Sequence, residues 1–363
     1  MGSCWLTPRC RWKSGSLTKI RSRHSGGYWQ NWGMQLRPAS NWLLRAEGRL
    51  QISRGDVMGK RTTTSVPSAQ VNRYTQAALA DNTHRSYKAD LAHFRAHGGT
   101  IPTTAVKLAE YLAHFADTLA VATLQHRLIA IHRAHLEAGH TSPAMDFLVK
   151  RTMQGIRRTK GTAQRRVKAL VKDDIIELVL TAEKQKPMKA ARDAALILVG
   201  FAGAFRRSEL VSIRKEDITA FDHGIEIHIR RTKTQQEKGH TVFIPCAKSS
   251  RCPVKALEKW LALSGIEQGP LFRPINRHDR IVGTEALTPQ SVALVLKGAT
   301  RHAKSEDAAK SVAGHSLRAG YCTEAASIGI ATHVIMEQTG HRSSATLAKY
   351  TRPLARRRTP SLL

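Results

Sequence analysis

Residues 314–350 read GHSLRAGYCTEAASIGIATHVIMEQTGHRSSATLAKY. His315 and Arg318 stand three positions apart, the spacing that sets two side chains on one face of a helix. An imidazole and a guanidinium so placed can converge on one anion, while Leu317 faces a core. Gly340-His341 follows, and Tyr350 comes nine residues later. A phenol on a short helix of its own can move toward a site without moving the core.

Further upstream the same chemistry recurs. GAFRRSEL (203–210) puts Arg206 at a helix start beside Glu209, where a carboxylate can hold the guanidinium rigid and leave its fork for a phosphate. Arg207 adjoins it, and only the Arg-x-Ser-Glu-Leu spacing selects Arg206. Arg231-Thr-Lys233-Thr lies in a turn, where a lysine can reach a phosphate or protonate a leaving oxygen. Taken singly, these read as a helix-end ion pair and a solvated turn lysine.

The surrounding pattern sets the fold class. Ala194 to Phe201 is a nearly unbroken apolar run beside helix-forming sequence, read as a buried helix. GIEIHIRR (224–231) alternates strictly and HTVFIP (240–245) is β-rich, so the two make a hairpin around TKTQQEKG. Helices are expected around 253–264, 288–304, 314–328 and 331–338. Residues 169–355 thus form a mainly α domain with a small antiparallel β-sheet, an α+β class.

Residues 58–156 form a second, wholly helical domain. Asp81 or Thr83 can cap a helix carrying Tyr87, Leu91 and Phe94. Further helices present Leu108, Leu112 and Phe115, then Leu124, Leu128 and Ile131, ending at Gly139. Pro143 opens a last helix ending near Gly155. Residues 157–168, RRTKGTAQRRVK, hold six basic residues and no apolar period, and read as a linker.

Residues 1–57 differ from the rest: they contain five of the six tryptophans, ten Lys and Arg, and two acids, with no sustained period. They are expected to be disordered or untranslated, with Met58 as a second candidate start. No compact apolar stretch marks a secretory signal, and no run approaches the ~18 apolar residues a membrane span needs.

The chain of 363 residues carries 58 Lys and Arg against 27 Asp and Glu, a formal +31. Self-repulsion at that charge calls for a polyanion partner, nucleic acid first and anionic membrane second. Five cysteines with no CxxC pair and 17 histidines with no HExxH cluster argue for reduced thiols and against a metal site.

In order and spacing, Arg206-x-Ser-Glu-Leu, Lys233, His315-x-Leu-Arg318, Gly-His341 and Tyr350 resemble the tyrosine recombinase (phage integrase) family. The likeness extends over about residues 68–355, more loosely in the helical region. It implies a core-binding (SAM-like) domain followed by a catalytic domain. Arg206, Lys233, His315, Arg318, His341 and Tyr350 match its six catalytic positions, and Glu209 its supporting acid. The family's sixth position is His or Trp, so His341 could act by packing and hydrogen bonding.

The resemblance implies a site-specific recombinase of the Cre, Xer or lambda-integrase type. Tyr350 would form a 3′-phosphotyrosine, two arginines would steady the phosphate, His315 would take the phenol's proton and Lys233 would protonate the 5′-oxygen. No metal, ATP or other cofactor is implied. The implied partners are double-stranded DNA with short inverted repeats, three further copies of the chain, and an accessory DNA-bending or directionality protein. Candidate DNA contacts are Arg85, Lys88, Arg127, Arg133, Arg157, Arg158, Arg165, Arg166, Arg207 and Arg231, with the two domains clamping the duplex. The tail 356–363 is read as a dock on a neighbouring protomer or a basic tether. A cytoplasmic, nucleoid-associated location is expected. A type IB topoisomerase and a catalytically silent DNA-binding relative stand as alternatives.

Overall fold

The computed structural model describes residues 68–162, 167–230 and 239–350. Lys233, Arg231, Arg165, Arg166, the N-terminal extension and the tail 356–363 lie outside them. The chain divides into two compact units near position 164.

The first unit holds α1 (Ala69–Ala77), α2 (Asp81–Ala96), α3 (Ala105–His114), α4 (Val121–Glu137) and α5 (Phe147–Lys160). Its core is Phe94, Leu108, Tyr111, Leu112, Leu124, Ile131, Val149, Met153 and Ile156, the apolar stripes of α2 to α5. Ala80, not Asp81 or Thr83, is the N-cap of α2, with no side-chain cap; Asp81 sits inside the first turn, where a carboxylate still suits the helix dipole.

The last helix outruns its expected end. Glycine at 155 does not stop α5, because Val149, Met153 and Ile156 keep one buried stripe going. Arg157, Arg158 and Lys160 then favour the C-terminal turn electrostatically, and Lys160 pairs with Asp117. The first four residues of the expected linker are therefore helical.

The second unit begins with α6 (Lys172–Ala182), α7 (Pro187–Ala202) and α8 (Arg207–Ser212). All of Ala191 to Gly200 in α7 is buried, which is why its sequence lacks an amphipathic period. Next come β1 (Ile218–Phe221), β2 (Gly224–Ile229) and β3 (His240–Pro245), an antiparallel sheet in the order β1-β2-β3. Ile229 pairs with His240 and Gly224 with Pro245, so the expected hairpin is present, with β1 added at its edge. Ile225, Ile227, Ile229, Val242 and Ile244 turn inward onto the core.

The unit is completed by α9 (Pro253–Ser264), α10 (Pro289–Ala303), α11 (Glu306–Ser311), α12 (Ser316–Ser327) and α13 (Thr332–Thr339), and residues 344–350 are again helical. Trp260 is fully buried, its Nε1 donating to the carbonyl of Leu271 at 2.8 Å. Gly320 lets α12 press on the chain at Leu170: a Cβ at 320 would stand 1.8 Å from the Leu170 carbonyl oxygen. A separate small cluster, Cys322, Ala325, Ile335 and Leu347, holds the 344–350 helix, with Tyr350 at its margin.

Candidate active site

Four stretches far apart in sequence meet where α7 ends. Arg206 is the N-cap residue of α8. Glu209 accepts from its backbone N–H at 2.8 Å and from its Nη1 at 2.5 Å. A buried carboxylate thus fixes the guanidinium and offsets its charge. Arg207 is exposed on α8, so Arg206 is the residue selected.

Arg318, one turn into α12, is 1% exposed, and its Nη1 donates to the carbonyl of Ala204 at 2.9 Å. Ala204 is a buried non-glycine at φ +50°. This left-handed backbone costs on the order of 1 kcal/mol. It aims the carbonyl at Arg318 and turns the chain toward Arg206.

Arg318 Nε and Nη2 are buried and have no hydrogen-bond partner among the described residues. Orphaned donors on a buried cation are expensive. Burial first, and then the charge of Arg206, pull the Arg318 pKa down to about 10, which still leaves it charged at neutral pH. Two guanidiniums against one carboxylate leave an excess of one positive charge, the complement of a phosphodiester.

His315, the N-cap residue of α12, places Nε2 2.5 Å from the Tyr350 hydroxyl. Burial, then Arg318 and Arg206, hold its pKa below the ordinary histidine value, so the ring is neutral and can accept a proton. His341 follows α13 with its Nδ1 2.7 Å from the Thr339 hydroxyl, and its ring centroid is 5.9 Å from that of Tyr350. Burial, Arg318, Arg206 and His315 together push its pKa down to about 4.

Two nearby cations would by themselves favour the phenolate, yet burial is the largest influence and raises the Tyr350 pKa. Cys322 adds to that rise, and Arg318 and Arg206 recover only part of it. Desolvating a phenolate outweighs two neighbouring charges here, and the neutral His315 ring stands against the protonated hydroxyl.

Five of the six catalytic candidates therefore gather at one place, and Lys233 lies outside the described residues. The supporting side chains Thr339 and Cys322 and the backbone of Ala204 had not stood out. Cys322, four residues after Arg318, is on that residue's helix face; nothing local in GAFR marks Ala204 as left-handed.

Among the candidate DNA contacts, Arg85, Lys88, Arg158 and Arg207 are exposed, and Arg133 and Arg157 partly so. Arg133 pairs with Glu137 at 2.8 Å. Arg127 is a correction. It is buried at 9% exposure, with Nη1 2.9 Å from His93 Nδ1 and 3.2 Å from the Tyr111 hydroxyl. Asp90 stands nearby at 3.6 Å. This arginine organises the core of its own unit and presents no fork to a phosphate.

Two guanidiniums, two imidazoles and a phenol thus stand together, an arrangement whose excess positive charge suits an anionic phosphate. Residues 168–357 match the phage integrase family. An integrase/recombinase xerD homolog of Selenomonas ruminantium is 37% identical over 293 residues, covering 78% of this chain and 85% of the relative. Recombinase cre of Escherichia phage P1 is 28% identical over 262 residues, covering 68% and 75%. In fold, the chain is similar to the XerH site-specific recombinase solved with palindromic difH substrate as a post-cleavage complex. That likeness has a TM-score of 0.54 at 18% identity, over 76% of this chain and 77% of that one. The chain belongs to the phage integrase family and is a tyrosine recombinase, a DNA strand transferase.

Proposed function

We propose that this chain is a site-specific recombinase that cuts and rejoins DNA through Tyr350. The observation that carries the reading is the Tyr350 hydroxyl 2.5 Å from His315 Nε2, beside a buried Arg318 with two donors that no described residue claims. Attack on a phosphodiester builds charge on its non-bridging oxygens, and Arg318 and Arg206 are the groups to meet it. His315 takes the phenolic proton as the oxygen–phosphorus bond forms. The bond to the 5′-oxygen breaks, and Lys233 supplies the proton that oxygen needs. The resulting 3′-phosphotyrosine keeps the energy of the bond, so reversal by another 5′-hydroxyl needs no ATP.

Exchange between two duplexes by this step passes through a Holliday junction and takes four protomers, paired on short inverted repeats. Directionality or bending is the work of an accessory protein. The setting proposed is the cytoplasm at the nucleoid, in a mobile element.

The test is a library of nicked duplexes tiling the DNA that flanks the gene, incubated with the wild-type chain and with Tyr350→Phe. The wild-type chain should form a covalent adduct on duplexes bearing an inverted repeat, and paired sites should yield junctions. Tyr350→Phe should bind the same duplexes and form no adduct. An adduct with the variant, or relaxation of any plasmid with no junctions on paired sites, would refute the reading.

A further inference from the structure

His240 opens β3 and pairs with Ile229 at the end of the hairpin ladder. Its Nε2 is a buried nitrogen with no hydrogen-bond partner among the described residues. What the ring touches is a turn. A Cβ built on Gly340 would lie 3.5 Å from His240 Cδ2 and 3.6 Å from Nε2, so the flat imidazole covers the backbone of that glycine.

Gly340 is the left-handed C-cap of α13, at φ +63°, and the next residue is His341. The Gly340 conformation decides where the His341 backbone leaves the helix, and the backbone decides where its ring can stand relative to Tyr350.

A second contact pins the same two elements together. One side-chain amide, Gln338 Nε2, donates to the carbonyl of Phe243 and to that of Ala202, each at 3.0 Å. Phe243 is on β3, three residues beyond His240. Ala202 ends α7, two residues before the Ala204 carbonyl that holds Arg318. Gln338 thus ties strand, helix end and α13 at one point, and His240 is the surface on which the following turn rests.

We propose that His240 is a positioning residue for strand transfer: its ring seats the Gly340 turn and so sets His341 against Tyr350, with Gln338 clamping seat and turn together. The inference rests on the recombinase reading and on His341 acting at the phosphate. Its substance is shape, since Nε2 has no partner among the described residues, so a phenyl ring serves where a methyl does not.

The experiment measures single-turnover cleavage at saturating DNA, on a nicked duplex that the wild-type chain cleaves. The proteins are wild type, His240→Ala, His240→Phe, Gln338→Met, His341→Ala and the double variants with His341→Ala. Thermal unfolding and DNA affinity are measured alongside. Displacing a reacting group on the order of 1 Å costs about 100-fold, so His240→Ala and Gln338→Met should each slow cleavage about 10- to 100-fold at unchanged DNA affinity. His240→Phe should recover most of the rate. Combined with His341→Ala, neither change should slow cleavage further, because the group being positioned is gone.

Wild-type cleavage equalled by His240→Ala, a phenyl variant as slow as the alanine one, or defects that multiply with His341→Ala would each overturn the proposal. Should His240→Ala fail to fold, the Gln338→Met pair decides by the same multiplication. A wild-type chain that forms no adduct would instead defeat the recombinase reading itself.

Discussion

Arg318 shows what the site asks of one residue. Its guanidinium is buried beside a second one, and the single carboxylate of Glu209 offsets only one of the two charges. Lysine would keep the charge and lose the planar fork. Arg318→Lys should therefore lower the cleavage rate constant by at least ~10²-fold, the scale of losing one transition-state donor, while binding of intact duplex in a gel-shift titration falls far less. The histidines make a pH prediction. His341 titrates at about 4 in the folded chain, against about 6.5 unfolded. Between those values the unfolded chain binds more protons, so stability is complete above about 6.5 and declines as pH falls toward 4. His315, also shifted downward, adds to the decline. The thermal midpoint should fall across that window, and His341→Phe should make the fall shallower. An unchanged slope would mean that the ring is not buried neutral. Arg127, an arginine within a helical pattern, reads as surface from the sequence, although its partners His93, Tyr111 and Asp90 come from α2 and α3.

At the scale of elements, two glycines give opposite predictions. Gly320 of α12 faces the Leu170 carbonyl so closely that a Cβ has no room. Gly320→Ala should destabilise by about 3 kcal/mol or more, the upper range for overpacking, read from denaturant unfolding of the second unit. Gly155 is exposed in α5, and its Cβ position has nothing within 4 Å. Gly155→Ala should stabilise the first unit by about 0.5–1 kcal/mol. Elements that bury a long patterned face were legible: the α7 run, the β2–β3 hairpin, and the stripes of α3 and α4. Elements whose stability comes from elsewhere were not. β1 has four residues and a single neighbouring strand. α11 is six residues held by a Ser305 cap and one buried alanine, Ala309. α5 outran Gly155 because its stripe and its basic last turn continue. In the site, order and spacing picked out five side chains that the fold brings together, but not the left-handed Ala204, which depends on a carbonyl being claimed by a helix 114 residues away.

For the whole molecule, a formal +31 makes salt the natural probe. If 6–10 phosphates are contacted, raising salt from about 50 to 200 mM should weaken DNA binding by roughly 10³-fold or more. Arg85→Ala and Lys88→Ala, on the exposed face of α2, should each reduce the slope of log affinity against log salt by about 1. Arg127→Ala should leave the slope alone and lower the stability of the first unit. A flat salt response would show that phosphates are not the main contacts. In strand transfer by this site, Tyr350 should become bonded to DNA phosphorus. The direct measurement is to trap the adduct on a nicked duplex, digest it with protease and nuclease, and sequence the nucleotide-bearing peptide by mass spectrometry. The nucleotide should be attached through its 3′-phosphate to Tyr350 in the peptide that follows His341. Attachment to another side chain, or through a 5′-phosphate, would contradict the mechanism.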